Sequence, residues 1–144
     1  LDTERLILAA NALGIAERAF DDCLKFVRER TQFGQPVGSF QAIKHRLADL
    51  ATDIECARLL VYSVARQADD PCRTDSLTRA SSMAKLKATE VAKLMSLEGM
   101  QMMGGYGYST EFNMVQHVRM ALGATIYGGT NEIQREIIGR SFGL

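Results

Sequence analysis

Four short stretches carry side chains and backbone fit for chemistry. LDTER, at residues 1–5, sets a carboxylate, Glu4, beside a guanidinium, Arg5. A carboxylate held against an acidic C–H is a general base. ERTQFGQPVGSFQ, at residues 29–41, offers Arg30, Gln32 and Gln41 around an aromatic, Phe33. A guanidinium can donate two hydrogen bonds to one phosphate. QMMGGYGY, at residues 101–108, puts Gln101 before backbone freed by Gly104 and Gly105. YGGTNE, at residues 127–132, puts Gly128 and Gly129 before a helix N-terminus, whose peptide N–H groups can face a ligand. Position 128, where a reactive side chain would serve best, has none.

Other chemistries find little support. The two histidines, His45 and His117, lack a glutamate three residues before them, so the Glu-x-x-His pattern of di-metal bundles is missing. Both read as surface or helix-packing residues. No serine stands in a G-x-S-x-G elbow. Met100, Met102 and Met103 read as core filling. Cys23, Cys56 and Cys72 are odd in number and form no CxxC, which points to a reducing compartment.

The elements that must position these stretches are helices. The 144 residues, 47% hydrophobic and 24% charged, suit one globular domain, 1–144. Seventeen basic side chains balance seventeen acidic ones, so no net charge draws the chain to nucleic acid or to an anionic membrane. The chain starts at Leu1 rather than Met, the expected mark of a piece of a longer protein. Leu6, Ala9, Leu13, Ala16, Phe20, Leu24 and Val27 recur at helical spacing and predict a helix over 3–30, capped by Asp2 or Thr3. Ile43, Leu47, Leu50, Ile54, Val61 and Val64 predict a second over 40–68. A third, rich in Ala, Leu, Met and Lys, is expected over 76–103 with Asp75 or Ser76 as cap. Shorter helices follow over 111–122 and 131–140, the last capped by Thr130. No run alternates long enough for a strand. The expected fold is all-α, an antiparallel up-and-down bundle of three long and two shorter helices.

Together and in this order, the stretches resemble one family. The chain is similar to the carboxy-terminal helical domain of FAD-dependent acyl-CoA dehydrogenases, most specifically in RTQFGQPVGSFQ, QMMGGYGY and IYGGTNEIQREIIGR. The resemblance covers residues 1–144. It implies a longer protein with an amino-terminal helical domain and a central β domain. It also implies a homo-oligomer, dimer or tetramer, in which FAD lies between the central domain and this bundle. By resemblance, Arg30 contacts the FAD pyrophosphate of the adjacent subunit, and Gln32, Phe33 and Gln41 shape the same region. Gln101, Gly104 and Gly105 approach the adenosine end, while Thr130 and Glu132 touch the subunit's own FAD.

The resemblance also implies the reaction, α,β-dehydrogenation of an acyl-CoA thioester, with hydride passing to flavin and electrons to an electron-transfer flavoprotein. Most family members carry a glutamate in the loop, as Y-E-G-T, where this chain has Gly128. The isovaleryl and long-chain branches instead draw the base from an L-D-x-E-R-like stretch, and LDTERL matches it at Glu4. Gly128 keeps its peptide N–H for the thioester oxygen, Gly129 lies beside it, and Arg5 supports the substrate or the loop. One departure is Met120, where the family commonly has aspartate after the arginine. Two alternatives stand beside this reading: an acyl-CoA oxidase or flavin monooxygenase of the same fold, and a bundle serving only assembly. The chain alone is expected to bind FAD poorly and to be inactive. Bacterial cytoplasm and mitochondrial matrix both suit the three cysteines.

Overall fold

The computed structural model describes residues 1–144. Helix α1 spans Asp2–Glu29, α2 Gln41–Asp69 and α3 Thr78–Met103. A single turn, α4, covers Gly105–Tyr108, followed by α5 (Met114–Ala124) and α6 (Asn131–Arg140). The five expected helices are present, in an all-α bundle. The structure adds two elements. One is α4. The other is a hairpin of two-residue strands, β1 (Thr31–Gln32) and β2 (Gln35–Pro36), paired Thr31 to Pro36 and Gln32 to Gln35. Its central residues, Phe33 and Gly34, have φ of 54° and 78°. Two positive φ values make the type I′ turn that matches strand twist. Such a hairpin is too short to show as alternation.

Two helix starts differ from expectation. Leu1, with no side-chain hydrogen bond, precedes α1, and Leu77 precedes α3. Asp2 is drawn instead to Arg5 Nη1 (2.8 Å) and to the Thr78 hydroxyl (2.9 Å). The latter bond ties the start of α1 to the start of α3. Ser76 Oγ still accepts from Thr78 N at 3.2 Å. Thr130 caps α6 as expected, accepting from Ile133 N. Asp70, before Pro71, is extended (φ −75°, ψ 112°), which ends α2.

The buried stripe of α1 runs Ala9, Ala12, Leu13, Ala16, Ala19, Cys23 and Val27, in steps of one to four. These mostly small side chains bring α1 close to α3. The stripe of α2 is Leu47, Leu50, Ile54, Ala57, Val61 and Val64. Helix α3 lies at the centre, packed against α1, α2, α5 and α6. Its polar Ser81, Ser82, Lys85, Thr89 and Ser96 are therefore buried along with its apolar residues. At its far end Gly99 receives Met114 of α5. A Cβ at Gly99 would lie 2.8 Å from Met114 Cε and 3.0 Å from its sulfur. His117 of α5 is buried, with Nε2 2.7 Å from Asp22 Oδ2 of α1. No helix is long and apolar enough to cross a membrane.

Candidate active and cofactor site

Helix α5 delivers the chain to the glycine loop, which runs back against the first turns of α1. Gly128 and Gly129 have φ of 67° and 86°. A Cβ built at Gly128 would fall well inside van der Waals contact with Leu8 Cδ1. A side chain there is opposed twice, by the left-handed backbone and by Leu8. Glu4 lies one turn before Leu8, and residues four apart share a helix face. The carboxylate at 4 and the loop at 128 thus belong to one corner of the molecule. Glu4 is exposed, on the solvent side of the chain. Arg5, directly after it, is engaged with Asp2 at 2.8 Å, on the face turned to α3. Its Nε is buried without a partner.

Behind the loop lies a polar network that the sequence reading missed. Lys85 of α3 is fully buried. Its Nζ donates to Gly129 O at 2.8 Å and to Asn131 Oδ1 at 3.3 Å. Thr89, one turn along α3, has its hydroxyl 3.1 Å from the same Asn131 oxygen. Gln134 Nε2 lies 3.2 Å from Gly128 O and 3.0 Å from Gly129 O. Asn131 N donates to Thr125 O at 3.1 Å, closing the loop. Burial pushes the Lys85 ammonium below its ordinary range, with the Glu132 charge opposing. Glu132 is held below the usual carboxylate range by its own backbone N–H, then by the Thr130 hydroxyl. The sequence carried no signal for it, since Lys85 and Thr89 are buried only because α3 lies at the centre of the bundle.

With both glycine carbonyls occupied, the peptide N–H groups of Gly128, Gly129 and Thr130 donate to no group of the chain. Three unused donors lead into the N-terminus of a ten-residue helix. Such an arrangement suits oxygen atoms of a negatively charged or carbonyl-bearing ligand.

The remaining expected residues gather at the other end of α1. Arg30 stacks over the Tyr106 ring of α4, 5.2 Å from its centroid. Phe26 and Phe112 pack on the same ring, at 5.6 Å each. Gln101, Gly104 and Gly105 lie exposed beside this cluster, with Gly104 at φ 60°. Phe33, 91% exposed, stands at the hairpin tip, edge-on to Phe40 at 6.2 Å. Gln32 and Gln41 are exposed nearby in sequence. Glu4 and Arg30 are 26 residues apart on or beside one straight helix, about 40 Å at ~1.5 Å per residue. The structure therefore divides the expected residues into two sets, one at each end of the bundle. An open cleft of about 600 Å³ lined by Gln67, Thr78, Arg79, Ile137 and Arg140 includes none of them.

Comparison with known proteins identifies the family of this fold. The sequence profile of the acyl-CoA dehydrogenase C-terminal domain matches residues 1–143. The short-chain specific acyl-CoA dehydrogenase of Megasphaera elsdenii is 43% identical over 141 residues, 96% of this chain and 36% of that protein. The caffeyl-CoA reductase-Etf complex subunit CarC of Acetobacterium woodii is 38% identical over 138 residues, again 96% of this chain and 36% of its own. The solved structure of butyryl-CoA dehydrogenase from Megasphaera elsdenii superposes with a TM-score of 0.94 at 40% identity, covering 99% of this chain and 37% of that one. The chain thus spans about a third of the length of these relatives. On profile, identity and fold alike, it belongs to the acyl-CoA dehydrogenase family, as the C-terminal domain.

Proposed function

We propose that this chain is the C-terminal domain of an FAD-dependent enzyme that removes the α and β hydrogens of an acyl-CoA thioester. The observation that carries the reading is Leu8 filling the space beside Gly128, with Glu4 one turn away on the same face of α1. The loop offers N–H groups and no carboxylate, and the neighbouring helix offers the carboxylate. Glu4 takes the α proton. The N–H of Gly128 donates to the thioester oxygen, where negative charge develops as that proton leaves. Gly129 presents bare backbone beside it, so the acyl group can approach closely. FAD supplies the acceptor for the β hydride. Thr130, Glu132 and the start of α6 hold the chain's own flavin, and the free donors there suit its oxygen atoms.

Arg30, Gln32, Phe33, Gln41, Gln101, Gly104 and Gly105 serve a second flavin, that of the adjacent subunit. The separation of about 40 Å along α1 supports this, because it exceeds the length of one flavin dinucleotide. The working protein is then a homo-oligomer whose sites are shared. Electrons leave to an electron-transfer flavoprotein, in bacterial cytoplasm or mitochondrial matrix. A relative whose name places it in an Etf complex supports that acceptor.

The test is Glu4→Gln in the complete protein, with flavin reduction by acyl-CoA followed anaerobically. General-base catalysis contributes about 10²- to 10⁴-fold, so reduction should slow by that factor while FAD content stays unchanged. A wild-type reduction rate would remove Glu4 from the chemistry.

A further inference from the structure

Lys85 has no part in the reading above, yet it is the one lysine, arginine or acidic side chain among the buried residues. It is fully buried, and no carboxylate lies within ion-pair distance of it. A buried ammonium is expensive unless well bonded, and a methionine would fill the same volume at less cost. Its neighbour makes the placement stranger still. Asn131 opens α6, and a helix N-terminus carries partial positive charge, which repels a cation. What the ammonium gains is the Gly129 carbonyl, at 2.8 Å.

A trans peptide is planar, with its N–H antiparallel to its C=O. Drawing the Gly128 carbonyl inward to Gln134 therefore turns the Gly129 N–H outward. Drawing the Gly129 carbonyl inward to Lys85 and Gln134 turns the Thr130 N–H outward. Both N–H groups are left without partners in the chain. A cation on the oxygen of a peptide unit also polarises it, which makes the N–H at the other end a stronger donor.

We propose that Lys85 and Gln134 are positioning residues. By holding the Gly128 and Gly129 carbonyls inside the bundle they aim, and in the case of Lys85 strengthen, the Gly129 and Thr130 N–H groups as a donor pair for an oxygen of the bound ligand. The inference rests on the proposed dehydrogenase reading for the identity of that ligand. The oxygen belongs either to the flavin dinucleotide or to the acyl thioester.

The experiment uses the complete flavoprotein and the variants Lys85→Met, Gln134→Leu and the pair together. Lys87→Met is the control, since Lys87 reaches Asp53 on another face of α3. FAD dissociation constant, rate of reduction per bound flavin by saturating acyl-CoA, and amide hydrogen exchange over residues 126–131 are measured. Lys85→Met should quicken loop exchange and cost about tenfold or more in FAD affinity or in reduction rate, with Lys87→Met unchanged. A loss confined to FAD affinity assigns the oxygen to the flavin. A loss confined to reduction assigns it to the thioester. The double variant should lose less than the two single losses multiplied, because both side chains hold one peptide. If Lys85 matters only for folding, flavin-loaded variants will have wild-type affinity and rate, and that result overturns the proposal. Should Lys85→Met not fold, Gln134→Leu carries the same prediction. Failure of the complete protein to reduce its flavin with any acyl-CoA would undo the dehydrogenase reading, while loop exchange and FAD affinity in Lys85→Met would still report on the latch.

Discussion

Two loops of this chain take positive φ at adjacent residues, 33–34 and 128–129, and they differ at the first of the two. At 128 and 129 stand glycines, the residues such backbone favours. At 33 stands phenylalanine, at φ 54° and 91% exposed. The glycine loop is held from behind by Lys85, Asn131 and Gln134, all buried. The hairpin has a two-residue ladder, the Val37 N to Arg30 O bond of 2.8 Å and one edge contact with Phe40. The first loop is shaped by the chain's own interior. The second keeps a bulky side chain that its own backbone disfavours and its own core does not use. Under the proposed function, that is the expected difference between a loop serving its own subunit's ligand and one serving a neighbour's.

Substitutions can break the comparison. Gly128→Ala should destabilise most, by about 1–2 kcal/mol from left-handed strain, since Leu8 Cδ1 ends a half-buried side chain that can move aside. Measured against Leu8→Ala alone, Gly128→Ala should keep this backbone cost of about 1–2 kcal/mol. Urea unfolding followed by helical circular dichroism measures both, and an indifferent Gly128→Ala would mean the loop is not held in this conformation. Thr130→Ala removes the α6 cap and should cost about 1 kcal/mol in the same assay. Phe33→Gly is the smallest effect and has the opposite sign, a gain of about 0.5 kcal/mol from relieved strain. FAD should nevertheless bind the assembled protein less tightly. A Phe33→Gly protein that loses stability would show that the side chain serves its own chain after all.

Helical periodicity made the bundle legible. The stripes of Leu13, Ala16 and Val27 and of Leu47, Leu50 and Ile54 are repeats that only a helix buries on one side. The hairpin was not legible, because two-residue strands carry no period. The cap at Asp2 misled, because a carboxylate near a helix start can also bond across to another helix, here to Thr78. Glycines and Glu4 marked the candidate site in one dimension. Its support did not show, since Lys85 and Thr89 read as ordinary helix surface until α3 is known to lie at the centre.

The contact of Met114 with Gly99 turns α5 into a lever. Its eleven residues span about 16 Å at ~1.5 Å per residue, with Met114 at one end and the glycine loop beyond Ala124 at the other. A methyl group at position 99 would meet the Met114 thioether, which must either turn aside or push the start of α5, and a tilt of a few degrees there becomes about an ångström at the loop. Displacements of that size at a reacting centre cost about a hundredfold in rate. Variation at this buried glycine can therefore reach the loop through α5, although it touches no residue of that loop.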